Sequence, residues 1–377
     1  MPEKKRITAS DVLKGESPLV LTATLAPVAD LDRFQPAGFP EVGHVIYRAP
    51  RGNGTTEHVC IVDSAASMAN HLESVCMRGP HDLDLAEDLI GMPYLRCVTD
   101  EIGEDGKPNQ NSKEPVVTSL TEGHRIASTY FLGGKRLTNK KPSDRRFEDE
   151  LADEIGIVLK GEKRAHPPAA KWWNVFKTIF RYDPNALVHG VLFPQWQVKI
   201  SRMLTAHLEA FGAGRVDRSG VKFDRLGKTT SGQPIFAVDD ATAKEIRATF
   251  VLDLALLKSF GRKDGKTEFG LNDHQKEFLV ALALWKIDRM LATPFRFRSG
   301  CHLRCVSLKN GGPDIQIDVS LRDAIRSAAF RGNETDPVVT DLYWPREELY
   351  REVDEKEAKP AGGTENEAAS DENDDNE

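Results

Sequence analysis

The chain has 377 residues, 40% of them hydrophobic and 29% charged, with a formal net charge of −7. That length supports one large or two ordinary domains with a real core, and no run of eighteen apolar residues is present to form a transmembrane helix. Residues 352–377 hold eleven acids and two bases, a net of −9, so the remainder carries −7 + 9 = +2. A slightly basic body with an acidic tail differs from an acidic protein, because the local field, not the sum, attracts nucleic acid.

The opening MPEKKRITAS has bases but no apolar stretch behind them, so no secretory signal is read and a cytoplasmic protein is expected. Apolar alternation then predicts strands over residues 19–25, 44–47 and 58–62. A helix over 64–76 follows, with Ala65, Met68, Leu72 and Val75 on one face. Further along, the patterns predict a strand over 187–193, a helix over 198–211 and a strand over 315–319, with 249–260 open between strand and helix. The strongest helix is residues 273–291, with Asn272 as N-cap. No repeat of 20–50 residues appears, and the irregular mixture favours an α+β fold. Residues 352–377 have the composition of a disordered segment, so the folded body is expected to span residues 1–351.

Cys60, Cys76, Cys97, Cys301 and Cys305 form an odd, scattered set, which reads as reduced thiols. Cys301 and Cys305 have no second pair nearby to complete a zinc site, and no metal-binding, cofactor or P-loop motif is found.

The stretch VDSAASMANHLESVC, residues 62–76, brings Asp63, Ser64, Ser67 and His71 together, the residue types of a nucleophilic hydrolase. The G-x-S-x-G elbow that would expose a nucleophile is missing, and Asp63 and Ser64 fall where a helix needs caps. A strand running into a helix N-terminus presents unpaired N–H groups and a partial positive charge, which suits a phosphate. On that reading Ser64 and Ser67 donate hydroxyls, and Asn70 and His71 lie one turn on. In TSLTEGHRIASTY, His124 and Arg125 precede a strongly basic segment, and phosphate contact there stands beside a purely structural role. From Arg125 to Arg146 there are seven bases and one acid, a net of +6. LGGKRLTNKKPSDRR within it reads as a protruding hairpin carrying Lys135, Arg136, Lys140, Lys141 and Arg145. Basic loops recur at 214–228 and 260–266. One such loop reads as a solvated surface; several in a body of charge +2 point toward a polyanion. In DRFQPAGFPEVG, Arg33 offers a cation, Phe34 a stacking ring and Gln35 a polar contact for single-stranded nucleic acid. The aromatics of KWWNVF read as packing.

RFQPAGFPEVGHVIY, VDSAASMANHLESVC, LIGMPYLRC, TSLTEGHRIASTY, LVHGVLF and RMLTAHLEAFGA occur in the order seen in one family. The chain resembles the Csb-type (GSU-type) Cas-seven backbone subunits of type I-G (formerly I-U) CRISPR Cascade, in the RAMP superfamily. The resemblance spans roughly residues 31–305 and leaves out the tail. It implies an RRM-like (ferredoxin-like) palm with an inserted helical domain and a protruding β-hairpin thumb, for which residues 133–147 are the candidate. It implies a non-catalytic subunit that oligomerises along a crRNA. The implied partners are the target DNA strand paired to the guide, a Cas-five/Cas-six fusion subunit, a large Cas-eight-type subunit and, indirectly, the Cas-three nuclease-helicase. This chain has Ala66 where the family's usual motif has Gln, and His71 where it has Arg. Those departures remove base contacts and a permanent cation from what the resemblance implies there, and leave the phosphate at the helix end. Type III relatives cut RNA with an Asp near the thumb, so Asp144 carries the alternative of a RAMP-type endoribonuclease.

Overall fold

The computed structural model describes residues 4–39, 43–157, 159–160, 163–164, 167, 169–216, 240–328, 330 and 338–350. The acidic tail and most of the basic loop at 214–228 lie outside the described residues. Strands β1 (Leu19–Pro27), β2 (Ile46–Pro50) and β3 (Thr56–Asp63) lead into helix α1 (Ala65–Ser74). The hairpin of β4 (Tyr94–Ile102) and β5 (Pro108–Thr118) is followed by β6 (Lys135–Thr138) and β7 (Lys141–Pro142). Helices α2 (Phe147–Ile155), α3 (Trp172–Tyr182) and α4 (Pro184–His189) precede strands β8 (Val191–Phe193), β9 (Val198–Ile200), β10 (Leu204–Phe211) and β11 (Glu245–Leu252). The central helix α5 (Asp273–Leu291) then leads to β12 (Phe295–Arg298), β13 (Cys301–Lys309) and β14 (Val339–Tyr343).

The architecture is mixed α+β, as the sequence pattern anticipates. Seven strands form an antiparallel sheet in the order β12-β13-β1-β11-β10-β3-β2. Its period-two alternation buries Leu21, Ala23, Leu25, Ala206, Leu208, Ala210, Ile246, Ala248 and Phe250, while Thr22, Thr24, His207 and Thr249 point to the opposite face. A second sheet runs β5-β4-β14-β6-β7, with β4 and β14 parallel. Helix α5 fills the middle of the core. Asn272 and Gln275 close a capping box at its start, and Phe278, Leu279, Leu282, Trp285, Ile287 and Met290 are buried. Each such side chain contributes about 1.5–3 kcal/mol by leaving water. Helices α1 and α4 pack against it.

Two expectations fail here. Residues 198–211 form β9 and β10, not a helix. Apolar residues at 200, 203, 204, 208 and 211 mimic helical spacing, but Leu204, Ala206, Leu208 and Ala210 alternate inward, and β10 pairs along its whole length with β11. Tertiary pairing overrides the local pattern. Residues 187–193 divide between the end of α4 and β8, with Gly190 at φ +80 making the break. A Cβ at Gly190 would meet the Ile200 carbonyl oxygen at 2.9 Å, so that close approach requires glycine. The stretch 249–260 is both things: β11 ends at Leu252, Asp253 caps, and a helix runs from Leu254 to Ser259. The candidate thumb is a short hairpin, β6 to β7, turning on Asn139 and Lys140 at φ 51 and 65.

Candidate nucleic-acid interface

Strand β3 lies between β10 and the edge strand β2 and delivers the chain directly to the N-terminus of α1. Ser64 is the N-cap: its Oγ accepts the Ser67 N–H at 3.1 Å. The N–H groups of Ala65 and Ala66 precede any carbonyl of their own helix that they can reach, and both residues have surface exposure. This end therefore carries unpaired donors and the positive pole of the helix.

Asp63 sits under it, 3% exposed. One carboxylate oxygen accepts the Ser64 N–H at 2.9 Å and faces the Arg298 guanidinium at 2.9 Å. The other accepts from Ser67 Oγ at 3.1 Å and lies 3.0 Å from His71 Nε2. Burial raises the Asp63 carboxyl, but the His71 hydrogen bond, the Arg298 charge and the Ser67 hydroxyl outweigh it and hold the pKa below its ordinary value. A buried, compensated carboxylate does not repel a phosphate at the helix end. This also excludes a nucleophilic triad. A triad needs one imidazole nitrogen on the acid and the other on the serine. Here His71 Nε2 meets both, lying 3.3 Å from Ser67 Oγ, and Ser67 spends its proton on Asp63.

Two further segments close on this corner. Arg298 Nη1 donates to the Val62 carbonyl at 2.9 Å, and the Ala37 N–H reaches the same carbonyl at 2.8 Å. The Gln35 N–H donates to the Gly300 carbonyl at 2.9 Å, and Gly300 stands at φ +78 with Gln35 so close that a Cβ would meet its Oε1 at 2.9 Å. Phe295 and Phe297 meet the His71 ring edge-on at centroid distances of 5.4 and 5.3 Å. Residues 33–37, 62–71 and 295–300, far apart in sequence, thus form one surface around the α1 terminus.

The family model for CRISPR-associated protein GSU0053 matches residues 19–215. This chain belongs to that family. The matched span covers residues 33–37 and 62–71 of the α1 corner, the β6–β7 hairpin and strands β8 to β10, and ends before Arg298. No curated protein matches it.

The other anticipated contacts divide. Arg33 is exposed and lies 3.5 Å from Asp240. Phe34 is 2% exposed and packs in the core, so it offers no stacking face; its short strand pairs with residues 240–242. Asn70 is exposed beside His71. His124 is exposed and paired with Glu122. Arg125 is corrected outright. It is 6% exposed, with Nε and Nη2 on the Glu73 carboxylate at 2.7 and 2.8 Å, and Nη1 on the Gly190 carbonyl at 3.2 Å. Its charge builds the core. On the hairpin, Lys135, Lys140 and Lys141 are exposed, Arg136 is held by Glu150 at 2.7 Å and Arg145 by Asp153 at 2.7 Å. Asp144 is exposed in the loop beside them.

Sequence reasoning missed Arg298. Its signal was FRFRSG, in which cations and rings alternate along β12 into a turn. It also missed Arg202, whose Nη1 donates to the Ala65 carbonyl at 3.2 Å. Among the described residues, no helix is long and apolar enough to cross a membrane.

Proposed function

We propose that this chain is a non-catalytic, cytoplasmic guide-RNA-binding subunit that lines up in several copies along a crRNA as the backbone of a type I-G Cascade complex. The observation that carries the reading is the α1 terminus. Its donors lie open above a carboxylate neutralised by Arg298 and hydrogen-bonded by His71, in a chain of a CRISPR-associated family. A guide must be held whatever its sequence, which calls for phosphate and sugar contacts from dispersed N–H, hydroxyl and cationic groups, without base-edge readout. Arg33, Ser64, Asn70, Lys135, Lys140 and Lys141 have the exposure for that role. The seven-stranded sheet serves as the RRM-like palm. The basic β6–β7 hairpin is assigned as thumb. The partners follow from this reading: target DNA paired to the guide, a Cas-five/Cas-six fusion subunit, a large Cas-eight-type subunit and the Cas-three nuclease-helicase.

Purification with its neighbours and sequencing of the bound RNA tests this. Repeat-spacer RNA is expected, with more copies loaded on longer RNA. One copy regardless of RNA length would overturn the filament. A second reading rests on Asp144, which lines a cavity of about 470 Å³ with Lys135, Arg145 and Arg146. It makes the chain a RAMP-type endoribonuclease. Labelled RNA incubated with divalent metal decides between them: intact RNA is expected, whereas cleavage abolished by Asp144→Ala establishes the nuclease.

A further inference from the structure

Residues of strands β8, β9 and β10 and the turn at residues 123–125 line an open cavity of about 530 Å³. Its size lies within the range of small-ligand sites and exceeds what a bare phosphate fills. Among the described residues no carboxylate lines it, while His124, Arg125, His189, Lys199 and Arg202 do. Arg125 is neutralised by Glu73 beneath. Lys199 is exposed and makes no ion pair among the described residues. Arg202 anchors one N–H on Ala65, the first residue of α1, so the cavity shares a wall with the α1 terminus. Ser201 and Thr205 add hydroxyls, and Leu192, 54% exposed, adds an apolar face.

His189 supplies an independent observation. It is 1% exposed, and its Nε2 lies 3.0 Å from the Lys286 ammonium, which also donates to Asn185. An ammonium has only donors, so Nε2 must accept, and the ring carries its proton on Nδ1. That Nδ1–H is buried with no hydrogen-bond partner. Burial, and then the charges of Lys286, Arg125 and Arg202, hold the imidazole pKa well below its ordinary value, which keeps the ring in this neutral form. Buried donors are ordinarily satisfied, so an orphan donor on a residue that lines a cavity rich in cations calls for an acceptor there.

We propose that this cavity binds one nucleotide of a single-stranded RNA, its phosphate held by Lys199 and Arg202 over His189, and its base or sugar against Leu192, Ser201 and Thr205. The choice of RNA rests on the backbone-subunit reading; the anionic nucleotide follows from the cavity itself. The test uses the full chain with uridine 5′-monophosphate, uridine, inorganic phosphate and an oligouridylate. Uridine 5′-monophosphate should shift the His189 Nδ1–H resonance and uridine should not. Lys199→Gln, at an exposed position, should weaken oligouridylate binding about tenfold and lower its salt slope by about 0.7, one phosphate contact. An unmoved His189 resonance, a phosphate response equal to that of the nucleotide, or unchanged affinity and slope in Lys199→Gln overturns the proposal. If oligouridylate fails to bind while uridine 5′-monophosphate still moves His189, the cavity assignment stands and the guide-RNA reading falls.

Discussion

Asp63 and Asp183 are both buried carboxyls, and their surroundings drive them in opposite directions. Asp63 is depressed, so the stability it contributes is present above the ordinary carboxylate pKa of about 3.9 and is lost as pH falls through its lower folded value. Arg298 is the guanidinium charge that compensates it. Arg298→Met should destabilise the fold by about 3 kcal/mol, because it leaves Asp63 buried with its hydrogen bonds to Ser64, Ser67 and His71 but without its guanidinium partner. Denaturant titration reads this, and the acid-side loss of stability should shrink in the variant. Asp183 is raised to about 7, first by burial and then by repulsion from Glu73, against the attractions of Arg125 and Lys286 and a backbone hydrogen bond from Ala186. Its folded form keeps a proton that the unfolded chain releases. Stability from this group is therefore full below about pH 4 and lost as pH rises toward about 7. Asp183→Asn, a neutral isostere, should flatten that loss when denaturant midpoints at about pH 5 and about pH 8 are compared. A wild-type midpoint that rises across the same window would contradict the assignment.

Helix α1 is the element on which the interface turns, and its two serines have separate duties. Ser64, half-buried, accepts from Ser67 N–H, which leaves its own hydroxyl proton free to donate. Ser67 gives its proton to Asp63. Ser64→Ala should cost about 1 kcal/mol of stability through the lost cap and also weaken RNA binding. Ser67→Ala should leave RNA affinity unchanged, as a filter-binding titration would show; equal losses from both would mean that the hydroxyls act together on the phosphate. The same contrast shows what the chain discloses. The α1 and α5 helices were legible because caps and apolar spacing are local, as Ser64 and Asn272 demonstrate. Strand β10 was not, since its identity depends on β11, whose residues begin 34 positions beyond the end of β10 at Phe211. Charge was visible in Arg125, but its partner Glu73, 52 residues away, was not, so a buried ion pair resembled a surface cation. The FRFRSG pattern marks Arg298, but its pairing with Asp63 lay beyond sequence reasoning for the same reason, because the two are neighbours only in the folded chain.

Across the whole molecule, charge is distributed so that the sum hides a basic body. The net of −7 divides into −9 over residues 352–377 and +2 elsewhere. Within a Debye length, about 8 Å at physiological salt, an approaching RNA meets local cations such as Lys135, Lys140, Lys141 and Lys199, not the average. Each phosphate neutralised releases counterions, so affinity should fall linearly with log salt, with a slope of about −0.7 per contact on a single strand. The eleven tail acids oppose this attraction at long range and at low salt, where screening is weakest. Replacing all eleven with Asn or Gln in the full chain should tighten RNA binding several-fold at about 50 mM salt, with the gain fading as salt rises. A gain that persists at high salt would mean that the tail competes through specific contacts, and no gain at all would mean that it lies outside the field the RNA feels.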